Sequence, residues 1–235
     1  MSNILLMMMG GTGTRMAADI PKQYLTIHDK PVFYYIVKRF AAIPEIDEIC
    51  IVNHEDWIDY VKESIADIDF NCRVQVVAGG NNRSESVRNG LRAVEDMAKP
   101  DDVVMIHDAT HPYADEEGIR QLIAAVKEYG GATMGACQYD TCYQMNENQE
   151  IVKVIPRQEI VSGASPEAFL FKNIYEIYCH ASEEELASMT SAGAIALAHN
   201  IRMKVIPTKI LNLKLTYPED FRLLQLLLDT YFFTE

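Results

Sequence analysis

The alternation of apolar and amphipathic segments predicts that this 235-residue chain is an α/β protein with a Rossmann-like, doubly wound, mostly parallel sheet. Short apolar runs, typical of strands buried on both faces, alternate with helical patterns of about ten to fifteen residues. Connections of this kind form right-handed βαβ units. The length suits one hydrophobic core, so we predict a single domain over residues 1–235.

The predicted strands are short and mainly apolar: Ile4–Met9, Glu48–Val52, Arg73–Val77, Val103–Ile106, Ala132–Ala136, Met203–Pro207 and Leu211–Leu215. The predicted helices carry an apolar face at helical spacing: Val32–Ala42, Trp57–Ile65, Ser84–Met97, Glu116–Tyr129, Phe171–Ala181, Glu183–His199 and a last helix from Pro218. Asp115 precedes its helix as a capping signal.

The strand and helix rhythm breaks over residues 138–166. A polar turn at residues 146–149 separates the two apolar segments Cys142–Met145 and Ile151–Ile155. This pattern predicts a β-hairpin arm that projects from the sheet. Such an arm serves either as a dimer contact or as a surface flap, and the sequence pattern leaves both open.

Composition narrows the class of protein. A net charge of −13 argues against a general nucleic-acid binder, which needs a basic face. The apolar run at the N-terminus stops at Gly10, too short for a signal peptide or a membrane span, so we predict no membrane association. Five cysteines, an odd number without a C-x-x-C pair, predict reduced thiols and a cytoplasmic location.

A glycine-rich loop follows the first predicted strand. Gly10, Gly11 and Gly13 let the backbone approach a phosphate with its N–H groups turned inward, and Arg15 and Lys22 add two cations. A dinucleotide fingerprint would need a glycine at position 16, and a P-loop would need Gly-Lys-Ser/Thr. An NAD-binding domain is therefore disfavoured, and the loop predicts phosphate binding beyond the carboxyl ends of the strands.

Two histidines flank an acidic residue after a later strand. His107 and His111 would meet at a zinc ion only on a helix, which Pro112 disfavours, so His107 is expected to make a structural hydrogen bond. Trp57 on its own is expected to pack in the core.

The loop sequences resemble those of a known family. Gly10–Met16 followed by Pro21–Leu25 resembles the signature of the sugar-phosphate nucleotidyltransferases, in particular the branch with the ribitol-5-phosphate and 2-C-methyl-D-erythritol 4-phosphate cytidylyltransferases. The similarity continues, in order, through Ala78–Val87, His107–Ala109, Asp140–Thr141, Arg157 and Asn212–Thr216. It covers nearly the whole chain.

The resemblance implies a transfer of CMP from CTP, with Mg²⁺, to a small polyol phosphate, and a homodimer formed through the arm. The implied catalytic residues are Arg15, Lys22 and Lys214. The implied nucleotide-binding residues are Met9, Gly10, Gly11, Thr12, Gly13, Thr14, Gly80, Arg83, Ser86, Asp108 and Ala109, and Asp108 would also hold the metal. The implied acceptor-binding residues are His111, Thr141, Arg157 and Thr190.

The departures from the family pattern fall on the acceptor side. His111 stands where the family has arginine, Glu167 where it has glutamine, and Ser191 where it has an acidic residue. D-Ribitol 5-phosphate, giving CDP-ribitol for cell-wall polymers, is the first choice of acceptor because the loop and the Asp56–Trp57 pair look more like that branch. The alternatives are 2-C-methyl-D-erythritol 4-phosphate and a non-catalytic nucleotide-binding paralogue.

Overall fold

The computed structural model describes residues 1–11, 20–113, 115–208 and 210–232. The strands in these residues are β1 (Asn3–Met8), β2 (Thr26–Ile27), β3 (Lys30–Pro31), β4 (Glu48–Asn53), β5 (Arg73–Ala78), β6 (Val103–Asp108), β7 (Gly130–Cys137), β8 (Cys142–Met145), β9 (Ile151–Ile155), β10 (Val161–Leu170) and β11 (Arg202–Thr208). The helices are α1 (Val32–Ala41), α2 (Ile58–Ser64), α3 (Arg83–Ala93), α4 (Glu116–Tyr129), α5 (Phe171–His180), α6 (Glu183–Ser188), α7 (Ala192–Ala198) and α8 (Pro218–Leu227).

A seven-stranded, mostly parallel sheet forms the centre of the molecule, in the order β11-β7-β10-β6-β1-β4-β5. The central strand β1 pairs in parallel with β4 and β6, so that Leu6 faces Cys50 on one side and Ile106 on the other. Because both faces are covered, Leu5, Leu6 and Met7 are all fully buried. The predicted α/β class with a doubly wound, mostly parallel sheet is confirmed.

Alternate residues of the strands feed two hydrophobic layers. Leu5 and Met7 pack on one face with apolar side chains of α1, α4 and α8. Ile4 and Leu6 pack on the other face with side chains of α3, α5 and α7. Because successive side chains of a strand point to opposite faces of the sheet, each strand contributes to both hydrophobic layers.

One strand of the central sheet was not predicted. β10 runs antiparallel to its neighbours β6 and β7, with an irregularity between Ala164 and Glu167. Its first half is exposed and its sequence includes Gly163 and Pro166, so it has neither an apolar run nor a clear alternation. Because β10 begins at Val161, residues 161–166 of the predicted arm belong to the central sheet.

The predicted hairpin is present as β8 and β9. The two strands pair antiparallel, with Tyr143 facing Val154, around a turn in which Gln149 adopts φ 64°. Asn146 Oδ1 accepts hydrogen bonds from the backbone N–H groups of Asn148 and Glu150, which closes the turn.

Two predicted elements differ in the C-terminal part. The helix predicted over Glu183–His199 is two helices, because Ser191 Oγ accepts a hydrogen bond from Ala194 N–H and starts α7 as a new helix. The strand predicted over Leu211–Leu215 joins no sheet. Its backbone instead contacts the loop after β6, where Leu215 N–H donates to Thr110 O at 2.9 Å.

Three further observations concern the N-cap of α4, the cysteines and the length of the helices. Asp115 is the N-cap of α4, as predicted, but its side chain makes no capping hydrogen bond. All five cysteines are free. Among the described ranges, no helix is both long enough and apolar enough to cross a membrane.

Candidate active site

A cleft of about 390 Å³ opens beyond the carboxyl ends of β1, β5 and β6. Its lining includes three cations, Lys22, Arg83 and Lys214, and the carboxylate of Asp108. The other lining residues are Met8, Met9, Gly10, Gly11, Gln23, Asn81, Asn82, Ser86 and Thr110. This is the position at which open α/β sheets bind their ligands.

The start of the glycine-rich loop is fixed by a buried amide. Gln23 Nε2 donates to Met9 O at 2.5 Å and to Gly11 O at 2.9 Å, while Met9 N–H bonds to Val52 O at 2.8 Å. The loop enters the cleft in a defined conformation as a result. Thr12, Gly13, Thr14 and Arg15 lie outside the described residues, so their predicted contacts with CTP stay predictions.

The turn between β5 and α3 forms the opposite wall. Ser86 Oγ accepts a hydrogen bond from Gly80 N–H at 3.0 Å and donates to Asn82 O at 2.8 Å. Asn82 Oδ1 caps α3 by accepting from Glu85 N–H at 2.9 Å. A Cβ on Gly80 would lie 2.4 Å from Glu85 Cβ, so this close turn requires glycine. Ser86 therefore already has a structural role as well as a place in the cleft.

Asp108 is the centre of the charged cluster. Arg83 donates from Nε and Nη2 to Asp108 Oδ1 at 3.3 and 3.1 Å, and Lys214 Nζ donates to Oδ2 at 3.0 Å. Burial opposes ionisation of the carboxyl, but the charges of Arg83 and Lys214 outweigh it and hold the pKa of Asp108 well below its usual range. Asp108 is therefore a carboxylate at neutral pH.

Lys22 and Lys214 are positioned by the same segment of chain. Lys22 is buried on a short helical turn, and its Nζ donates to Leu215 O at 2.5 Å. Leu215 is the neighbour of Lys214 in the stretch after β11. Because this stretch crosses the end of the sheet, it brings two cations from opposite ends of the chain into one cleft.

His107 is confirmed as a structural residue. It is fully buried, its Nε2 lies 3.1 Å from His111 O and its Nδ1 lies 3.0 Å from Ser165 Oγ. Burial lowers the pKa of His107 to about 4, so the ring is neutral at pH 7. Ser165 Oγ also accepts from Asp108 N–H at 3.0 Å, which fixes the backbone of the central carboxylate.

His111 faces a second, narrow cavity of about 30 Å³ that Tyr113, Ser165 and Leu213 also line. Burial, and then the charge of His107, lower the pKa of His111 to about 3. A neutral imidazole offers no charge to an acceptor phosphate, unlike the arginine of the family pattern. Of the described residues, His107 and His111 are in no cluster of three or more His, Cys, Asp or Glu that could hold a metal ion.

The other predicted acceptor-binding residues are exposed and do not line the cleft. Thr141 and Arg157 lie at the base of the hairpin, where Arg157 Nη1 donates to Tyr139 O at 2.6 Å. Thr190 lies in the turn between α6 and α7. Ala109, predicted to bind nucleotide, is fully buried and donates from its N–H to Met8 O at 3.0 Å.

Several residues of this region escaped sequence reasoning. Gln23 and Ser165 form hydrogen bonds to backbone groups elsewhere in the chain. Asn53 Oδ1 accepts a hydrogen bond from the hydroxyl of Tyr24. The Tyr24 ring also stacks on Trp57, with ring centroids 4.1 Å apart. Gln23 lies in the Pro21–Leu25 signature, but nothing in the sequence indicated that its side chain would hold the loop. Trp57 is partly buried and packs against the core, as expected.

A larger hollow of about 520 Å³ lies between α5 and α7. Its lining includes the carboxylates of Glu176 and Glu185 and the imidazoles of His180 and His199. Carboxylates repel a polyphosphate, so this hollow does not suit a nucleotide.

Comparison with known proteins identifies the class. Residues 4–230 match the family described as IspD: 2-C-methyl-D-erythritol 4-phosphate cytidylyltransferase. A ribitol-5-phosphate cytidylyltransferase of Streptococcus agalactiae serotype V is 30% identical over 230 residues, 97% of this chain and 96% of that protein. A 2-C-methyl-D-erythritol 4-phosphate cytidylyltransferase of Clostridium botulinum is 34% identical over 212 residues, 90% of this chain and 92% of that protein.

Solved structures show the same fold. The 4-diphosphocytidyl-2C-methyl-D-erythritol synthase of Anaerococcus prevotii superposes with a TM-score of 0.80 at 24% identity, covering 97% of this chain and 96% of the other. The 2-C-methyl-D-erythritol 4-phosphate cytidylyltransferase of Francisella tularensis gives a TM-score of 0.75 at 23% identity, covering 96% and 100%. At these identities the likeness concerns the fold.

Fold, cleft and sequence together define a nucleotidyltransferase. More narrowly, the chain belongs to the IspD family of cytidylyltransferases. Its reaction transfers a cytidylyl group from CTP to a polyol or sugar phosphate. The similar proteins are named for two different acceptors, ribitol 5-phosphate and 2-C-methyl-D-erythritol 4-phosphate.

Proposed function

We propose that the protein transfers CMP from CTP to D-ribitol 5-phosphate in the cytoplasm, giving CDP-ribitol and pyrophosphate. The observation that carries the proposal is the convergence of Lys22, Arg83 and Lys214 around Asp108 in one cleft. Such a set of charges suits a triphosphate, although the protein as a whole carries a net charge of −13.

The reaction needs positioning and charge stabilisation. An oxygen of the acceptor phosphate attacks the α-phosphorus of CTP, the bond to the β-phosphate breaks, and its electron pair leaves with pyrophosphate. Negative charge builds on the transferred group and on the leaving group, so Lys22 and Lys214 are placed to stabilise it. Arg15 is assigned the same role by the family resemblance.

The nucleotide would be held by the two walls of the cleft. The backbone from Met9 to Thr14 would cradle the triphosphate, since glycines allow its N–H groups to approach the phosphates. Gly80, Arg83 and Ser86 would border the cytosine and ribose. Support comes from the cleft itself, which is lined on one side by Gly10 and Gly11 and on the other by Asn81, Arg83 and Ser86.

The described lining of the cleft offers one carboxylate, that of Asp108, to a divalent cation such as Mg²⁺. Asp108 supplies one ionised carboxylate, and Mg²⁺ is commonly bound through one or two carboxylates with the substrate phosphates as further ligands. When bound, the ion would offset phosphate charge. Both Asp108 oxygens already accept hydrogen bonds, one from Arg83 and one from Lys214. The remaining ligands of the metal ion would therefore come from the triphosphate.

The acceptor side would be completed by a second copy of the chain. Thr141 and Arg157 sit at the base of the arm, away from the cleft of their own chain. The arm exposes the apolar side chains Tyr139, Tyr143, Met145, Ile151, Val152 and Val154. Burial of such a surface against a partner would favour a homodimer, in which the arm of one copy reaches the cleft of the other.

Three observations bear on the acceptor. The Streptococcus agalactiae relative is named for ribitol 5-phosphate and matches 97% of the chain. The Clostridium botulinum relative, at 34% identity, keeps 2-C-methyl-D-erythritol 4-phosphate as the second candidate. A paralogue that only binds nucleotide is the third candidate, since the neutral His111 supplies no charge to an acceptor phosphate.

The test is pyrophosphate release with CTP, Mg²⁺ and a panel of polyol and sugar phosphates, with ATP, GTP and UTP as nucleotide controls. Turnover with CTP and D-ribitol 5-phosphate at the highest kcat/KM would support the proposal. A preference for 2-C-methyl-D-erythritol 4-phosphate would replace it. CTP binding without pyrophosphate release from any acceptor would favour the paralogue.

A further inference from the structure

Glu167 stands at an unusual position beside the charged cleft. It lies in β10, where its backbone is level with Ile106 of β6 and Thr133 of β7. Its two carboxylate oxygens accept hydrogen bonds from Ala192 N–H at 3.1 Å and from Gly193 N–H at 2.9 Å. The carboxylate therefore satisfies the free N–H groups at the start of α7.

The approach of Glu167 to α7 depends on a glycine. A Cβ on Gly193 would lie 2.6 Å from Glu167 Oε1, closer than van der Waals contact allows. Gly193 is buried at this point of contact. The Glu167 carboxylate therefore fits against Gly193. A shift of the start of α7 towards β10 would make these two residues clash.

The other end of the same turn is anchored separately. Ser84 Oγ, in the first turn of α3, donates to Leu186 O of α6 at 2.8 Å. The turn with Thr190 and Ser191 therefore runs between two fixed points, Leu186 and Ala192. The anchor at Ser84 is next in sequence to Arg83, which lines the cleft.

From these contacts we propose that Glu167 is a positioning residue, which fixes the Thr190–Ser191 turn through the start of α7. The proposal rests on the proposed function, with Thr190 in the acceptor-binding role that the family resemblance implies. It also accounts for two departures from the family pattern together: position 191 is a serine that caps α7 through Ala194 N–H, while the acid at this helix start comes from position 167.

The first experiment measures backbone hydrogen–deuterium exchange of peptides covering residues 189–195. In Glu167→Ala we expect at least tenfold faster exchange of the amides of Ala192 and Gly193 than in the wild type, while the peptides of β1 and β4 are unchanged. Glu184→Ala removes an exposed acid from the first turn of α6 and serves as the matched control, with wild-type exchange.

The second experiment separates the acceptor from the nucleotide. Glu167→Ala is expected to raise the KM for D-ribitol 5-phosphate about tenfold, because displaced positioning groups lose that order of affinity or rate. The KM for CTP should stay within about twofold, because Lys22, Lys214 and the glycine-rich loop are untouched. In the double variant Glu167→Ala with Ser191→Asp, a carboxylate returns to the helix start from the N-cap position, and the KM should recover by at least about threefold.

The outcomes decide the two proposals separately. Wild-type exchange over residues 189–195 in Glu167→Ala would overturn the positioning role, as would an equal rise of both KM values. If the wild type released no pyrophosphate with any acceptor, the proposed function would fail, and the exchange measurement alone would still decide whether Glu167 fixes the turn.

Discussion

Asp108 illustrates, at the scale of single residues, how a site is assembled from distant parts of the chain. Its partners Arg83 and Lys214 are 25 and 106 positions away in sequence. Their roles in binding and catalysis were implied by the resemblance of their local motifs to those of a known family. Their mutual contacts could not be predicted, because nothing local to any of the three encodes its distance from the other two.

Lys22 is the residue on which catalysis is expected to depend most. Lys22→Ala should lower kcat about a hundredfold or more, since removal of one group that stabilises developing charge has that effect. The affinity for CTP, measured by calorimetry, should change far less. Lys22→Met keeps most of the buried stem and should show the same loss of kcat.

The control for this prediction is Lys127→Ala, which removes an exposed lysine from α4. It should have wild-type kcat. Circular dichroism and thermal melting should show that all three variants are folded. A folded Lys22→Ala variant with near-normal kcat would contradict the catalytic role of Lys22.

At the scale of the secondary-structure elements, strands buried on both faces were predicted closely. β1, β4 and β6 are continuous apolar runs, and their sequences alone locate them within about two residues. β10 is half exposed and contains Pro166, so its place in the sheet follows only from pairing with β6 and β7. The segment after Leu211 has strand-like residues but bonds to a loop and a lysine.

The contact between α3 and β4 makes a second prediction. Gly90 of α3 lies against β4, and a Cβ there would be 2.7 Å from Val52 Cγ2. In Gly90→Ala the overpacking should cost about 1–3 kcal/mol. This exceeds the gain of about 1 kcal/mol in helix propensity. The free energy of unfolding, from urea titration, should therefore fall.

Gly163→Ala is the matched control, because a Cβ at this position of β10 has no atom within 4 Å. Its midpoint of unfolding should stay close to that of the wild type. If Gly90→Ala were as stable as the wild type, α3 would have to sit farther from β4 than described.

At the scale of the whole molecule, the arm stands out because its exposed apolar side chains are not part of the hydrophobic core. Its exposed faces carry Tyr143 and Val154 directly opposite each other. Sequence patterning predicted the hairpin correctly, because turn residues separate two short apolar segments. What the arm contacts could not be read from the pattern, because a dimer contact and a surface flap have the same alternation.

The arm leads to a prediction about assembly. The wild type should be a dimer by size-exclusion chromatography with light scattering, and Val154→Glu should shift it to a monomer, because a buried unpaired charge opposes association. Activity should fall with the dimer, since Thr141 and Arg157 would no longer reach a neighbouring cleft. Leu226→Glu, which changes an exposed residue of α8, should leave the dimer intact.

A monomeric wild type with full activity would contradict both the assembly and the assignment of Thr141 and Arg157 to the acceptor. The dimer would also be wrongly located if Leu226→Glu dissociated it and Val154→Glu did not.

The position of β10 affects how the protein folds while it is synthesised on the ribosome. β6 and β7 are consecutive strands of the central sheet along the chain, yet β10 lies between them, and β10 ends at Leu170. The strands β5, β4, β1 and β6 can pair as soon as they are synthesised. β7 has no partner until the later strand has left the exit tunnel, so the nascent chain carries a four-stranded sheet with an open edge at β6 until Leu170 has emerged.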